Sequence, residues 1–188
     1  MEKFARRGFF IDFTEKRISR KDVFHGRILD VHVDTVELPN GKQATREVVD
    51  HPGGVGILAI DERDNVVLVS QYRYVFGKTI LEIPAGKLEP GEDPVVAALR
   101  ELKEETGASP VEFIPMGRLL ASPGCYGEVL WLFLARGLTQ GQSDPDEDEF
   151  LSVERIPFDE LIHRVTTGEI EDAKTVAAAL KAKTLLAR

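Results

Sequence analysis

Glu101, Glu104 and Glu105 crowd together in the stretch LRELKEETGA. A helix advancing about 100° per residue would gather all three carboxylates into one sector. Glu101 and Glu105 then stand as an i, i+4 pair of like charges, which destabilises an isolated helix by roughly 0.2–0.5 kcal/mol. A divalent cation reverses that sign, because hard cations such as Mg²⁺ take carboxylate oxygens and keep positions open for waters and phosphates. Arg100, four residues before Glu104, is placed to pair with it. LKEE by itself also reads as an ordinary solvated helix face, so the elements around it must decide.

Asp93 is a good N-cap, Pro94 sits where its missing N–H costs nothing, and Gly107 supplies a C-terminal stop, so the helix is predicted over Pro94–Thr106. Val95, Ala98, Leu99 and Leu102 form the sector expected to pack. Upstream, apolar and polar residues alternate from about Phe9 to Asp50, and Pro39, Asn40 and Gly41 mark a hairpin turn. Val55–Ile60 and Val66–Tyr72 read as buried strands joined by the DERDN loop, and Thr79–Ile83 as a third. Strands are also expected at Val111–Ala121, Val129–Ala135 and Phe150–Ile156, with closing helices at Phe158–Thr167 and Asp172–Ala187. This mixture lacks the regular alternation of a doubly wound sheet. It implies an α+β fold, helices packed against a mixed sheet.

The 188 residues, 43% hydrophobic and 30% charged, suit one globular domain with a short accessory region. No apolar run approaches the ~18 residues of a membrane span, and MEKFARRGFF lacks the apolar core of a secretory signal. Cys125 is the only cysteine. A soluble, cytoplasmic protein is the expectation. The net charge of −8 argues against a nonspecific nucleic-acid binder. An acidic protein still takes a phosphorylated substrate when cations stand between the two sets of negative charge.

Within GKLEPGEDPVVAALRELKEETGA, residues Gly86, Glu92, Arg100, Glu101, Glu104, Glu105 and Gly107 stand at every spacing of the Nudix box, which this segment resembles. If each position matched at about the 7% usage of a common residue, seven together would arise on the order of 10⁻⁸ per starting point. The resemblance implies a Nudix α/β/α sandwich with a loop–helix–loop metal site. Its ligands would be the Ala85 carbonyl, Glu101 and Glu105, with Glu104 completing the acidic cluster and Arg100 orienting a carboxylate. Gly86 suits a sharp exit from a strand, where a side chain would obstruct the backbone.

Three further segments resemble the ADP-ribose pyrophosphatase branch of that family: REVVDHPGGVGIL from Arg46, QYR ending at Arg73, and SPGCYGE, which puts Pro123 sixteen residues beyond Gly107. With the terminal DAKT, the similarity runs over about three-quarters of the chain. It implies substrate contacts from Arg46 and Glu47, often across a homodimer, from Arg73 to a phosphate, and from Pro123 and Gly124. Residues 1–50 would then be a dimerisation and substrate-contact region of antiparallel strands, and 51–188 the hydrolase domain. Near Gly26, where an aromatic residue would stack on adenine, the chain has Arg27 and Ile28.

The acidic run DPDEDEF fails as a calcium loop, because Glu149 takes the sixth position, where glycine is needed, and Arg155 the twelfth, where a bidentate glutamate belongs. In the resembled branch the matching loop folds over the metal site and supplies a glutamate. Glu147 is the expected base and Glu149 a metal or substrate contact, or the reverse. GVGILA from Gly54 opens a strand and not a helix, so it is no dinucleotide fingerprint. The implied reaction is Mg²⁺-dependent hydrolysis of ADP-ribose to AMP and ribose 5-phosphate, with Mn²⁺ as a substitute. Its rivals are hydrolysis of GDP-mannose or another nucleotide sugar, and a catalytically silent ADP-ribose sensor. Such a sensor would carry a degraded box and an added DNA-binding domain, and this chain shows neither.

Overall fold

The computed structural model describes residues 12–145 and 149–187. They fall into two compact units: residues up to His51 together with Gly124–Tyr126, and Pro52–Pro123 together with Gly127–Arg188.

The first unit is an antiparallel meander of β1 (Lys16–His25), β2 (Asp30–Glu37) and β3 (Gln43–Asp50). The turn signal between β2 and β3 acts where it was read. Gly41 takes φ +78°, and Lys42 N–H donates to Asn40 Oδ1 at 3.0 Å. His32 is buried, and burial obliges it to find polar partners: Nδ1 lies 2.9 Å from Asp34 Oδ1 and Nε2 3.3 Å from Asp50 Oδ2. Gly124–Tyr126 join this unit through Val49, whose N–H donates to the Cys125 carbonyl at 2.8 Å.

The second unit contains β4 (Gly54–Ile60), β5 (Asn65–Arg73), β6 (Lys78–Glu82), β7 (Ala85–Lys87), β8 (Ala108–Ser122), β9 (Tyr126–Gln140, all but its first residue) and β10 (Leu151–Pro157). Its helices are α1 (Pro94–Thr106), α2 (Phe158–Thr167) and α3 (Ala173–Leu186). The sheet is mixed, as expected: β4 runs parallel to β9 and antiparallel to β5, which also pairs antiparallel with β6 and β10. Every residue of β4 is buried because helices cover both faces. Val55, Ile57 and Ala59 point one way, with Val67 and Phe133, under Ala97, Ala98 and Leu102 of α1. Leu58 and Ile60 point the other way and meet Leu161 and Ile162 of α2 and Ala178, Ala179 and Ala182 of α3. Period-2 alternation on one strand thus fills two cores, and the layers are α/β/α.

Two details depart from the sequence reading. β7 is a three-residue strand too short to leave a periodic signal, yet it pairs with β4 through Val55 and Gly86. On α1 the packing stripe is Ala97, Ala98 and Leu102, while Val95 and Leu99 are 40% and 38% exposed. Among the described residues no helix is long and apolar enough to cross a membrane.

Candidate active site

At about 100° per residue, Ala97, Glu101, Glu105, Ala98 and Leu102 follow one another around a single arc of α1. The carboxylates therefore lie inside the packing stripe and not opposite it. Glu101 is 8% exposed and Glu105 3%, more buried than the apolar Val95 and Leu99. Asp93 sets this rotation as N-cap, accepting from Val95 N–H at 2.8 Å, and Gly107 ends the helix at φ +71°.

Against the carboxylates lies β7. Ala85 N–H donates to Glu105 Oε2 at 3.1 Å. A Cβ on Gly86 would stand 1.8 Å from Glu101 Cδ, so only glycine leaves that carboxylate its room. Burial pushes Glu105 up to about 8; the Ala85 N–H pulls it down, and the charges of Glu101, Glu149 and Glu82 raise it further. Glu101 is also raised, first by burial, against the opposing pull of Arg100, with Glu104 and Glu149 adding to the rise.

Arg100 spans the outer side of this group. Its Nη1 donates to Glu101 Oε1 at 2.8 Å and to Glu104 Oε2 at 2.9 Å, while Nε and Nη2 hold the two oxygens of Glu92, each at 3.1 Å. Glu92 Oε2 also accepts Glu89 N–H at 3.0 Å. Glu92 therefore locks the turn ahead of the helix and keeps Arg100 from swinging away.

The acidic loop follows β9 and is tied at its start to the C-terminal end of α1, whose last carbonyls lack helical partners. Gln140 Nε2 donates to the Thr106 carbonyl at 2.7 Å, Gly141 N–H to Gly107 O at 2.8 Å and Asp144 N–H to Glu104 O at 2.9 Å. Glu149, in the same unit, lies near enough for its charge to act on both Glu101 and Glu105. Glu147 lies outside the described residues.

The remaining expected substrate residues are divided between the two units. Arg73, at the end of β5, is half-buried and donates from Nε to Glu82 Oε1 at 2.7 Å. In the first unit Arg46 makes a two-point ion pair with Glu15. Glu47, the next residue on β3, points to the opposite face of the strand and is exposed. Pro123 and Gly124 are exposed in the turn between β8 and β9. Sequence reasoning missed Glu82 and the buried Lys174 of α3. Their one signal was a charge inside an apolar run, TILEIP, and a lysine two residues after the α3 N-cap, within the DAKT segment.

Among the described residues no three His, Cys, Asp or Glu side chains converge closely enough to hold a metal ion. The chemistry of the donors nonetheless suits a hard cation: two buried carboxylates of raised proton affinity, beside a backbone cradle that glycine keeps open. This has a pH signature. Because the folded-state value of Glu105 lies above its ordinary range, its contribution to stability is full in acid and is lost as pH rises through about 8. Cation binding must displace that proton, so affinity rises over the same interval. Thermal melts should show the metal-free protein weakening between pH 6 and 8.5, and added MgCl₂ raising Tm more at pH 8.5 than at pH 6. An Mg²⁺ shift larger at pH 6 would contradict the assignment.

Fold and site together describe an α/β/α sandwich with a buried acidic pair held between one helix and one short strand. Residues 50–179 match the NUDIX domain and residues 15–49 the nucleoside diphosphate sugar hydrolase N-terminal domain. The chain belongs to the NUDIX domain family. It is 44% identical to the methanol dehydrogenase activator of Bacillus methanolicus, over 88% of this chain and 91% of that protein. It is 42% identical to the ADP-ribose pyrophosphatase of Bacillus subtilis (strain 168), over 87% and 90%. A solved structure described as an ADP compounds hydrolase shares the fold with a TM-score of 0.80 at 22% identity, covering 92% of this chain and 94% of that one.

Proposed function

We propose that this chain hydrolyses the diphosphate bond of nucleoside-diphosphate sugars in a divalent-metal-dependent reaction, with ADP-ribose as substrate and AMP and ribose 5-phosphate as products. The observation that carries the reading is the buried pair Glu101 and Glu105 facing Ala85 and Gly86, within a box complete at every position. Support for the substrate comes from the Bacillus subtilis ADP-ribose pyrophosphatase, similar over nearly the whole of both chains.

Glu101, Glu105, the Ala85 carbonyl and Glu149 are the groups that would hold the cation. Bound there, Mg²⁺, or Mn²⁺ in its place, supplies neutralisation of the charge that spreads over the phosphate oxygens. Arg100 and Glu104 keep the carboxylates in orientation. Arg73 binds a phosphate oxygen, and Pro123 and Gly124 form part of the substrate's border. Glu147 takes the proton of a water in line with one phosphorus while the bond from that phosphorus to the bridging oxygen breaks, and the leaving phosphate departs with the bridging oxygen. Glu149 is the second candidate for this base.

Residues 1–50 serve as a dimerisation and substrate-contact region, with 51–188 the hydrolase domain, so that Arg46 and Glu47 complete the site of a second copy. Exposed Ile18, Val23 and Phe24 on β1 support an apolar contact of this kind. The working compartment is the cytoplasm. Sedimentation should find a dimer; a fully active monomer removes this part of the reading.

The decisive experiment is a product assay with Mg²⁺ on ADP-ribose, GDP-mannose and other nucleotide sugars. Release of AMP from ADP-ribose at the highest kcat/KM is expected. Preference for another nucleotide sugar would move the substrate, and no turnover on any would leave a silent binder. Within the same assay Glu147→Gln should lower kcat about 10²-fold or more, with Mg²⁺ affinity within about twofold of the parent.

A further inference from the structure

We propose that Glu82 and Lys174 are a positioning pair for Arg73, holding one edge of its guanidinium so that the other edge meets a diphosphate. The inference deepens the reading above and rests on it.

Glu82 is 1% exposed. Its Oε1 accepts Arg73 Nε at 2.7 Å, and its Oε2 accepts from Lys174 Nζ. Lys174, 8% exposed, also donates to Asp172 Oδ1 at 3.0 Å, and Asp172 Oδ2 caps α3 by accepting Thr175 N–H at 2.9 Å. The hydroxyl of Thr175 accepts Ile83 N–H at 2.9 Å, one residue beyond Glu82. Two residues further, Ala85 N–H reaches Glu105. The start of α3, the end of β6 and the carboxylate of α1 are therefore tied into one stretch of hydrogen bonds.

Stability does not account for this arrangement. Stripping a carboxylate and an ammonium of water costs several kcal/mol per ion, and well-packed apolar residues do as well or better at the same position. What two cations on one buried carboxylate provide is geometry: each oxygen is committed, so neither partner swings freely. For Arg73 the consequence is directional. Its inner nitrogen is bound, and among the described residues neither terminal nitrogen donates a hydrogen bond. Those two N–H groups form the fork that matches phosphate oxygens. The guanidinium also lies close enough to Glu105 for their charges to interact, which sets it near the carboxylates of α1.

The test is a double-mutant cycle of Arg73→Ala and Glu82→Gln, read by calorimetry with inorganic diphosphate and Mg²⁺ and by steady-state kinetics with ADP-ribose. Each single change should weaken diphosphate binding about tenfold, and Glu82→Gln should raise KM with kcat within about twofold. The double variant should bind no more weakly than Arg73→Ala alone, because the glutamate acts only through that arginine. Lys174→Arg should restore nearly parental KM, since it keeps the buried positive charge. If Glu82→Gln fails to melt cooperatively, Lys174→Gln takes its place in the cycle. Additive losses, an Arg73→Ala variant that binds diphosphate like the parent, or a parent that does not bind it, each overturn the proposal. A parent that binds diphosphate but cleaves no nucleotide sugar sinks the functional reading alone, because the calorimetric cycle still decides the pair.

Discussion

Replacing Glu105 by Gln should lower kcat/KM with Mg²⁺ by about 10³-fold or more while leaving the metal-free protein at least as stable as the parent. The two halves of that result have one cause. Glu105 is 3% exposed and its carboxyl is pushed up to about 8, so near neutral pH the metal-free fold already keeps it largely protonated. A glutamine matches that neutral form in shape, and its carbonyl oxygen still accepts the Ala85 N–H now 3.1 Å from Oε2. What it lacks is the anionic oxygen that a hard cation takes. Melts in chelator should therefore show an unchanged or higher Tm for Glu105→Gln, most visibly at pH 8.5, where the parent must ionise the buried group. The Mg²⁺-induced rise in Tm should vanish. Equal and small losses of turnover for Glu105→Gln and Glu147→Gln would refute the assignment of ligand and base.

Gly86→Ala is the second change of large expected effect, and it works by sterics. The added methyl would lie 1.8 Å from Glu101 Cδ and 1.9 Å from its Oε1, distances that require the carboxylate to leave. Around it Val55, Ala97 and Ala98 are fully buried, so little room exists for relaxation. Overpacking of this kind costs typically about 1–3 kcal/mol, and displacement of a ligand should remove about 10²-fold or more in kcat. Gly91→Ala is the control. It carries a backbone penalty at φ +78° that Gly86→Ala does not, but meets nothing within 4 Å, so activity should survive. Adding Glu101→Ala to Gly86→Ala should restore Tm toward the parent and leave activity lost. If Gly86→Ala alone retains both Tm and turnover, the close approach of β7 to α1 is wrong.

Much of the scaffold was readable before any coordinates. Asp93, Pro94 and Gly107 bracket α1 at its observed bounds because caps are local chemistry, settled within a few residues. The helix expected over Phe158–Thr167 is α2 at the same bounds, and the one expected over Asp172–Ala187 is α3 at Ala173–Leu186, with Asp172 as its N-cap. The site was less so. Charge placed Glu101 and Glu105 together, but the reading of α1 gave the packing face to Val95 and Leu99 along with Ala98 and Leu102, and only the last two are buried. Hydrophobicity assigns buried faces by transfer preference, and at a site that holds buried carboxylates that preference is overridden by the strand facing them.

By itself the sequence determined the box, its helix and caps, the mixed α/β order and the acidic loop, all of which follow from spacings within about 25 residues. Only tertiary structure decided that the carboxylates face inward against Ala85 and Gly86, that the start of the loop docks on the last carbonyls of α1, and that Glu82 joins Arg73 to Lys174, a hundred and one positions away in the chain. The reason is physical. Caps and turns are satisfied by neighbours along the chain, whereas a buried charge is satisfied by whatever the fold brings to it, and no periodicity records that partner.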